Sequence, residues 1–172
     1  DTLAKAPDRL LMVGFNRRYS PLVRDVISHF EGRKEPLGMI YRVNAGRIPK
    51  NDAAAWVHDP EIGGGRIVGE ACHFVDTLQA ITGARPVDLH ATGLNPGRPD
   101  LAADDVVTLT IRFDDGSIGT VHYFSNGDGE YPKERLEVFG QDRVAVLADY
   151  RSLELAAGGR TQSRKSQTRQ KG

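Results

Sequence analysis

A glutamate and a histidine follow a run of three glycines in the segment GGGRIVGEACHFVD, residues 63–76. Glu70 and His73 are three residues apart, so a helix places both side chains on one face. An imidazole with a pKa near 6.5 accepts a proton at neutral pH, and a neighbouring carboxylate can orient its ring. The spacing is therefore typical of general-base chemistry, and it is equally typical of the polar surface of any helix.

The segment as a whole predicts a helix over residues 66–82, ended by Gly83. At 100° per residue, Arg66 and Thr77 share the face of Glu70 and His73, which we expect to be exposed. The glycines would allow unusual φ angles and a close approach of backbone or ligand. The expected buried side is apolar and consists of Ile67, Val68, Ala71, Cys72, Val75, Leu78 and Ile81.

Other chemistries have less support in the sequence. A carboxylate-bridged metal site needs a second Glu-x-x-His pair, which the chain lacks, and its other histidines are scattered without ligand spacing. No metal site is therefore predicted. The single cysteine, Cys72, lies in the apolar stripe of the helix and is interpreted as a small buried side chain. No GxSxG motif is present.

Length and charge limit the class of protein. The 172 residues suit one domain, and 23 basic residues balance 23 acidic ones, so no nucleic-acid or membrane partner is indicated. The absence of a long apolar run and of a signal-peptide pattern predicts a soluble, cytoplasmic protein. Residues 158–172 carry five basic residues, no acidic ones and no large apolar side chain, which predicts a disordered basic tail.

Helical patterns come early in the chain and strand patterns come late. LLMVGF at 10–15 predicts a strand, and residues 20–31 predict a helix with Ser20 as N-cap and Pro21 at its first position. Residues 36–46 alternate as a strand does, and residues 51–60 predict a loop or short helical turn. After Gly83 the period is two in six segments: PVDLHATGLN, DDVVTLTIRF, SIGTVHYFSN, KERLEVFG, RVAVLAD and SLELA. We expect an α+β fold with a large, open, mostly antiparallel sheet and helices on one face.

Three ordered motifs resemble one known family. VGFNRRYSP at 13–21, WVHDP at 56–60 and GGGRIVGEACHFVDTLQAITG at 63–83 are similar to the C-terminal domain of the Gfo/Idh/MocA family of NAD(P)-dependent sugar and polyol dehydrogenases. The resemblance covers about residues 10–156. It implies a domain that shapes the substrate pocket and the subunit interface, with an open sheet like those of the C-terminal domains of dihydrodipicolinate reductase and glyceraldehyde-3-phosphate dehydrogenase.

The resemblance also implies that the chain is only the second half of such an enzyme. It has neither the GxGxxG loop of a Rossmann domain nor the family's Glu-Lys-Pro segment. Residues 1–15 would then be a remnant of the preceding Rossmann domain, 16–157 the substrate and oligomerisation domain, and 158–172 the tail. NAD or NADP is expected in the complete protein, whereas the chain alone should bind neither and should be inactive.

Site residues carry over from the family position by position. His73 matches the helix histidine that contacts the reacting hydroxyl or carbonyl, while Gly69 stands where many members have an aspartate, so Glu70 is the nearest carboxylate. The glycines Gly64 and Gly65 are expected beside the cofactor. The expected substrate-binding residues are Asn16, Arg17, Asn44, Arg47, Trp56 and Arg66.

Two functions remain open at this point. The chain is either the substrate half of a dehydrogenase or a non-catalytic sugar-binding or assembly module with the same sheet. The strand DDVVTLTIRF is apolar or β-branched on both of its faces, and the helices can cover only one face of the sheet. We therefore expect homo-oligomers formed through the uncovered face.

Overall fold

The computed structural model describes residues 5, 8–10, 12–49, 51–59, 61–94 and 105–171. In this part of the chain, two α-helices lie against one eight-stranded sheet. The helices are α1 (Pro21–His29) and α2 (Cys72–Thr82). The strands are β1 (Gly38–Asn44), β2 (Pro86–Gly93), β3 (Val106–Phe113), β4 (Ile118–Phe124), β5 (Glu134–Gly140), β6 (Arg143–Ala148), β7 (Ser152–Ala157) and β8 (Arg160–Lys165). Predicted segments that fall on 1–4, 6–7, 11, 50, 60, 95–104 and 172 lie outside the described residues.

The strand order is β2-β3-β4-β1-β5-β6-β7-β8. Strand β1 comes first in sequence but lies in the middle of the sheet, where Tyr41 is opposite Val121 of β4 and Leu136 of β5. The β1–β4 pair is parallel, and the other pairs of described strands are antiparallel. The predicted α+β fold with a mostly antiparallel sheet is therefore confirmed.

One face of the sheet carries the core. Alternate residues of β1 point to the helices, so Met39, Tyr41 and Val43 are buried while Ile40 between them is exposed. Each fully buried aliphatic or aromatic side chain contributes about 1.5–3 kcal/mol. The helices supply Leu22, Val23 and Val26 from α1 and Phe74, Leu78 and Ile81 from α2.

The predicted faces of helix 66–82 are partly wrong. Val68 is 71% exposed and Cys72 is exposed, whereas Phe74 and Thr77 are fully buried. Residues Ile67–Ala71 form a π-helical segment ahead of α2. Because a π-turn accommodates more residues than an α-turn, counting at 100° per residue loses phase across it.

The prediction of a disordered basic tail is wrong, because part of the tail forms a strand. Arg160–Lys165 form β8, which pairs with β7 through backbone hydrogen bonds and so needs no apolar side chains. The basic residues find acidic partners, since Arg164 pairs with Asp25 and Arg169 pairs with Asp149. The prediction treated the charges as solvated because the partners lie far away in sequence.

The predicted strand at 10–15 does not form in the described residues. Leu10 and Met12 are 99% and 86% exposed, and no strand lies beside them to accept backbone hydrogen bonds. Ser20 does precede α1, but its hydroxyl donates to the carbonyl of Gln170 instead of capping the helix.

Among the described helices, none is long and apolar enough to cross a membrane.

Candidate functional site

The glycine triplet shapes the entry to the helix. Gly64 and Gly65 have φ angles of 68° and 86°, a region that favours glycine. A Cβ atom on Gly63 would lie 2.6 Å from the backbone oxygen of Trp56 and 2.6 Å from the Cα of Val57. The first glycine is thus required by a close approach of the chain to itself, and the next two by their backbone conformation.

Arg66 joins the start of the helix to the end of β1. Its Nη1 donates to the carbonyl of Gly46 at 2.7 Å and its Nη2 to that of Ala45 at 3.2 Å. The guanidinium also lies over the ring of Tyr123, 5.5 Å from the ring centroid. Arg66 was expected to be exposed on the polar face of the helix, and it is 3% exposed instead. These contacts hold the loop after β1 against the helix.

Glu70 lies between two cations. Its carboxylate is 3.5 Å from Nη2 of Arg66 and 3.6 Å from Nζ of Lys133. Lys133 immediately precedes β5 and was not identified from the sequence, because its distance of 63 residues from Glu70 leaves no local pattern. The charge of Glu70 also helps to raise the pKa of the Tyr123 hydroxyl, after burial, which is the larger cause.

His73 is half-buried, with the edge of its ring against Phe15 at a centroid distance of 5.7 Å. Burial lowers its pKa below the ordinary value of 6.5, and the positive charge of Arg17 lowers it further, whereas Asp76, Glu70 and Glu134 act in the opposite direction. A lowered pKa favours the neutral form of the imidazole. In this state one ring nitrogen can accept a proton.

Buried polar atoms without a hydrogen-bond partner occur at this helix and elsewhere in the described residues, at Thr120, Asp149 and Gln170. At the helix they are the Nε of Arg66 and the Nδ1 of His73. The hydroxyl of Tyr123 nearby interacts with the carboxylate of Glu70, which helps to raise its pKa. Arg66 and His73 were identified as candidate site residues from the sequence. Tyr123 was not, because its pattern is that of an ordinary residue of a strand.

Arg17 is not placed in an open pocket. Its Nε donates to Oε2 of Glu134 at 2.9 Å and its Nη2 donates to Oε1 at 3.1 Å, in a pair that is almost fully buried. The guanidinium lies over the ring of Phe74, 4.8 Å from the centroid. Both of its described hydrogen bonds go to Glu134, which favours a role behind the helix over direct contact with a substrate.

The other residues predicted to bind substrate are spread around the same end of the sheet. The side-chain amide of Asn44 is used structurally, since it donates to the carbonyls of Asp128 and Tyr131 at 2.6 and 3.1 Å. Asn16 and Arg47 are exposed, and Trp56 is 56% exposed on the short 3-10 helix Ala55–His58. These three side chains are free to contact a partner or ligand.

His58 is paired with a carboxylate, whereas no hydrogen bond or ion pair joins His73 to Glu70 in the described residues. Nδ1 of His58 is 3.4 Å from Oδ2 of Asp105, and its Nε2 is 3.2 Å from the carbonyl of Ile48. These two contacts hold the 3-10 helix Ala55–His58 against the loop after β1 and the start of β3. The described residues contain no group of three His, Cys, Asp or Glu side chains arranged to hold a metal ion.

The sequence matches a family model over residues 33–146, more than half of the chain. The model describes the GFO/IDH/MocA C-terminal domain, and the chain belongs to this family. A comparison with the sequences of curated proteins gave no match.

Several solved structures share this fold. An inositol dehydrogenase homologue from Azotobacter vinelandii, complexed with NAD+, has a TM-score of 0.76 at 17% identity and is matched over 95% of this chain and 46% of its own. Levoglucosan dehydrogenase in complex with NADH has a TM-score of 0.69 at 24% identity and is matched over 96% of this chain and 50% of its own. UDP-N-acetylglucosamine 3-dehydrogenase from Acidithiobacillus ferrooxidans has a TM-score of 0.70 at 20% identity and is matched over 99% of this chain and 51% of its own. The chain spans about half the length of the structures it matches.

Proposed function

We propose that this chain is the substrate-binding and subunit-interface part of an NAD(P)-dependent dehydrogenase that oxidises a secondary hydroxyl of a sugar or polyol, or reduces the corresponding carbonyl. The observation that carries the proposal is the half-buried His73 on the helix that follows the glycine triplet, in a domain of this family, with burial and Arg17 lowering the pKa of its imidazole. His73 accepts the proton of the substrate hydroxyl. Glu70, Asn16, Arg47 and Trp56 are proposed to surround the substrate.

The described residues can contact the nicotinamide ring of a dinucleotide but offer no site for its pyrophosphate. Gly64 and Gly65 have no side chain, and a Cβ atom on Gly65 would meet nothing within 4 Å, so a flat ring can approach the backbone here. The pyrophosphate finds no matching site, because the triplet follows a 3-10 helix and not a strand that leads into a glycine loop. When bound, the nicotinamide exchanges a hydride with the substrate carbon. The remaining part of the dinucleotide is proposed to be held by a separate Rossmann domain.

The first prediction follows from this division of the site. The 172-residue chain alone should show no measurable binding of NAD or NADP in titration calorimetry, because its described residues form no site for the pyrophosphate. The complete protein should bind at least one of the two dinucleotides. Micromolar binding to the isolated chain would contradict the proposal, and failure of the complete protein to bind either would favour a non-catalytic sugar-binding or assembly module.

The uncovered face of the sheet is proposed to be a homo-oligomer interface. Across the central strands it presents Ile40, Ile118, Phe124 and Phe139, together with threonines and the charged Arg42, Arg135 and Glu137, and none of the described helices lies over it. Several large apolar side chains grouped on one uncovered face favour an interface, and an ion pair such as Arg135–Glu137 can lie within it. A twofold axis would pack two such faces together.

The second prediction tests this face with two matched residues. Ile118 and Leu89 are 57% and 55% exposed, but Ile118 lies on the uncovered face while Leu89 is paired with the buried Ile111 on the helix side. Light scattering should give an oligomer for the parent chain and for Leu89→Lys, and a monomer for Ile118→Lys. A monomeric parent chain, or an unchanged mass for Ile118→Lys, would remove this interface.

A further inference from the structure

A buried ionic cluster lies directly behind the helix that carries His73. Glu134 is fully buried at the start of β5 and accepts both hydrogen bonds from Arg17. The hydroxyl of Tyr41 donates to Oε2 of the same carboxylate at 2.7 Å, and Nζ of Lys171 pairs with Oε1. The hydroxyl of Tyr41 also lies 2.9 Å from that of Tyr150. The carboxylate is thus held on every side by donors from distant parts of the chain.

The short 3-10 helix Asn16–Tyr19 connects this cluster to His73. The guanidinium of Arg17 stacks on the ring of Phe74, the residue that follows His73. Phe15, two residues before Arg17, places its ring edge-on to the imidazole. The bidentate pair with Glu134 fixes the guanidinium plane, and therefore also fixes the turn that touches the histidine.

We propose that Glu134 and Arg17 are positioning residues for His73, with Glu134 holding Arg17 and Arg17 fixing the turn and the ring of Phe74 that orient the imidazole. The inference rests on the proposed function only in assigning a purpose to His73. Neither residue contacts the substrate. Their effect passes through Phe15 and Phe74 and through the charge of the guanidinium.

The charges that face His73 come from three elements. Arg17 lies on the 3-10 helix, Glu70 and Asp76 lie on the same helical run as His73, and Glu134 lies on β5. Asp76 is itself paired with Arg18, whose Nε is 2.8 Å from Oδ2, so its effect is partly compensated. After burial, the positive charge of Arg17 is the main cause that keeps the imidazole neutral, and Glu134 opposes it.

The test is an NMR titration of the His73 imidazole in the 172-residue chain, which requires no substrate. We expect the pKa of His73 to rise in Arg17→Met, because a positive charge is removed, and to fall in Glu134→Gln, because Arg17 is then uncompensated. Lys171→Met is the matched control. It removes another cation from Glu134, but one that does not touch the helix, so the pKa should stay near the parent value.

Shifts in the same direction for Arg17→Met and Glu134→Gln, or no shift in either, would overturn the inference. If Arg17→Met does not fold, Glu134→Gln decides by the sign of its shift, since the glutamine keeps the shape and a hydrogen-bond acceptor. Arg17→Lys, which keeps the charge but loses the bidentate geometry, should leave the pKa less changed than Arg17→Met. A dehydrogenase assay that fails would leave this titration unaffected, so the two proposals can fail separately.

Discussion

Replacement of Glu134 by alanine should lower the free energy of unfolding by about 3–5 kcal/mol, because it leaves the buried guanidinium of Arg17 without its partner. The hydroxyl of Tyr41 and the ammonium group of Lys171 lose the same acceptor. Urea unfolding of the chain, followed by circular dichroism, measures the difference. A loss below about 1 kcal/mol would show that the cluster relaxes or hydrates easily and is not a rigid support.

Glu137→Ala is the matched control for this change. Glu137 lies on the same strand but on the uncovered face of the sheet, where it pairs with Arg135 in a partly exposed ion pair. Ion pairs of this kind contribute roughly 0–1 kcal/mol. The control variant should therefore unfold within about 1 kcal/mol of the parent chain, and a loss as large as that of Glu134→Ala would attribute the effect to the strand and not to the buried pair.

The contribution of Glu134 should also depend on pH. Burial alone would raise its pKa, but the hydrogen bonds and charge of Arg17, followed by Lys171, outweigh burial and hold the pKa at about 2, below the ordinary 4.5. A carboxylate with a lowered pKa stabilises the fold above 4.5 and loses this contribution as the pH falls towards 2. The stability gap between the parent chain and Glu134→Gln should therefore narrow progressively in this range.

His73→Ala should lower kcat of the complete dehydrogenase at least about 100-fold, because general-base catalysis commonly contributes 10²–10⁴ to the rate. Dinucleotide affinity should change little, since the histidine is proposed to contact the reacting hydroxyl only. Steady-state kinetics with a polyol found in a substrate screen provides the measurement. Glu70→Gln should cost less than His73→Ala, because Arg66 and Lys133 still hold the amide in place.

Much of the fold could be predicted from the sequence because its signals are local. Period-two segments identified β2 to β7. The turn at Asp149 and Tyr150 was missed, since both adopt positive φ angles that are uncommon for residues other than glycine. The central position of β1 also has no local signal, because it results from pairing with strands distant in sequence.

The site was predicted less completely, for two physical reasons. The π-helical segment Ile67–Ala71 shifts the phase of the helix, so Arg66 and Thr77 are buried where an exposed stripe was expected. The ionic contacts also join residues far apart in the chain, such as Arg17 with Glu134 and Glu70 with Lys133. His73 could be proposed from the sequence because its chemistry and its resemblance to a family motif coincide.

The most direct test of the central claim is the pH dependence of kcat for hydroxyl oxidation by the complete protein. A neutral His73 must accept the proton, so kcat of the parent enzyme should fall as the pH drops below the pKa of His73, which lies under 6.5. In His73→Ala this acidic limb should disappear, and the remaining low rate should be flat over the same range. An acidic limb of the same midpoint in both enzymes would contradict the assignment of His73 as the proton acceptor.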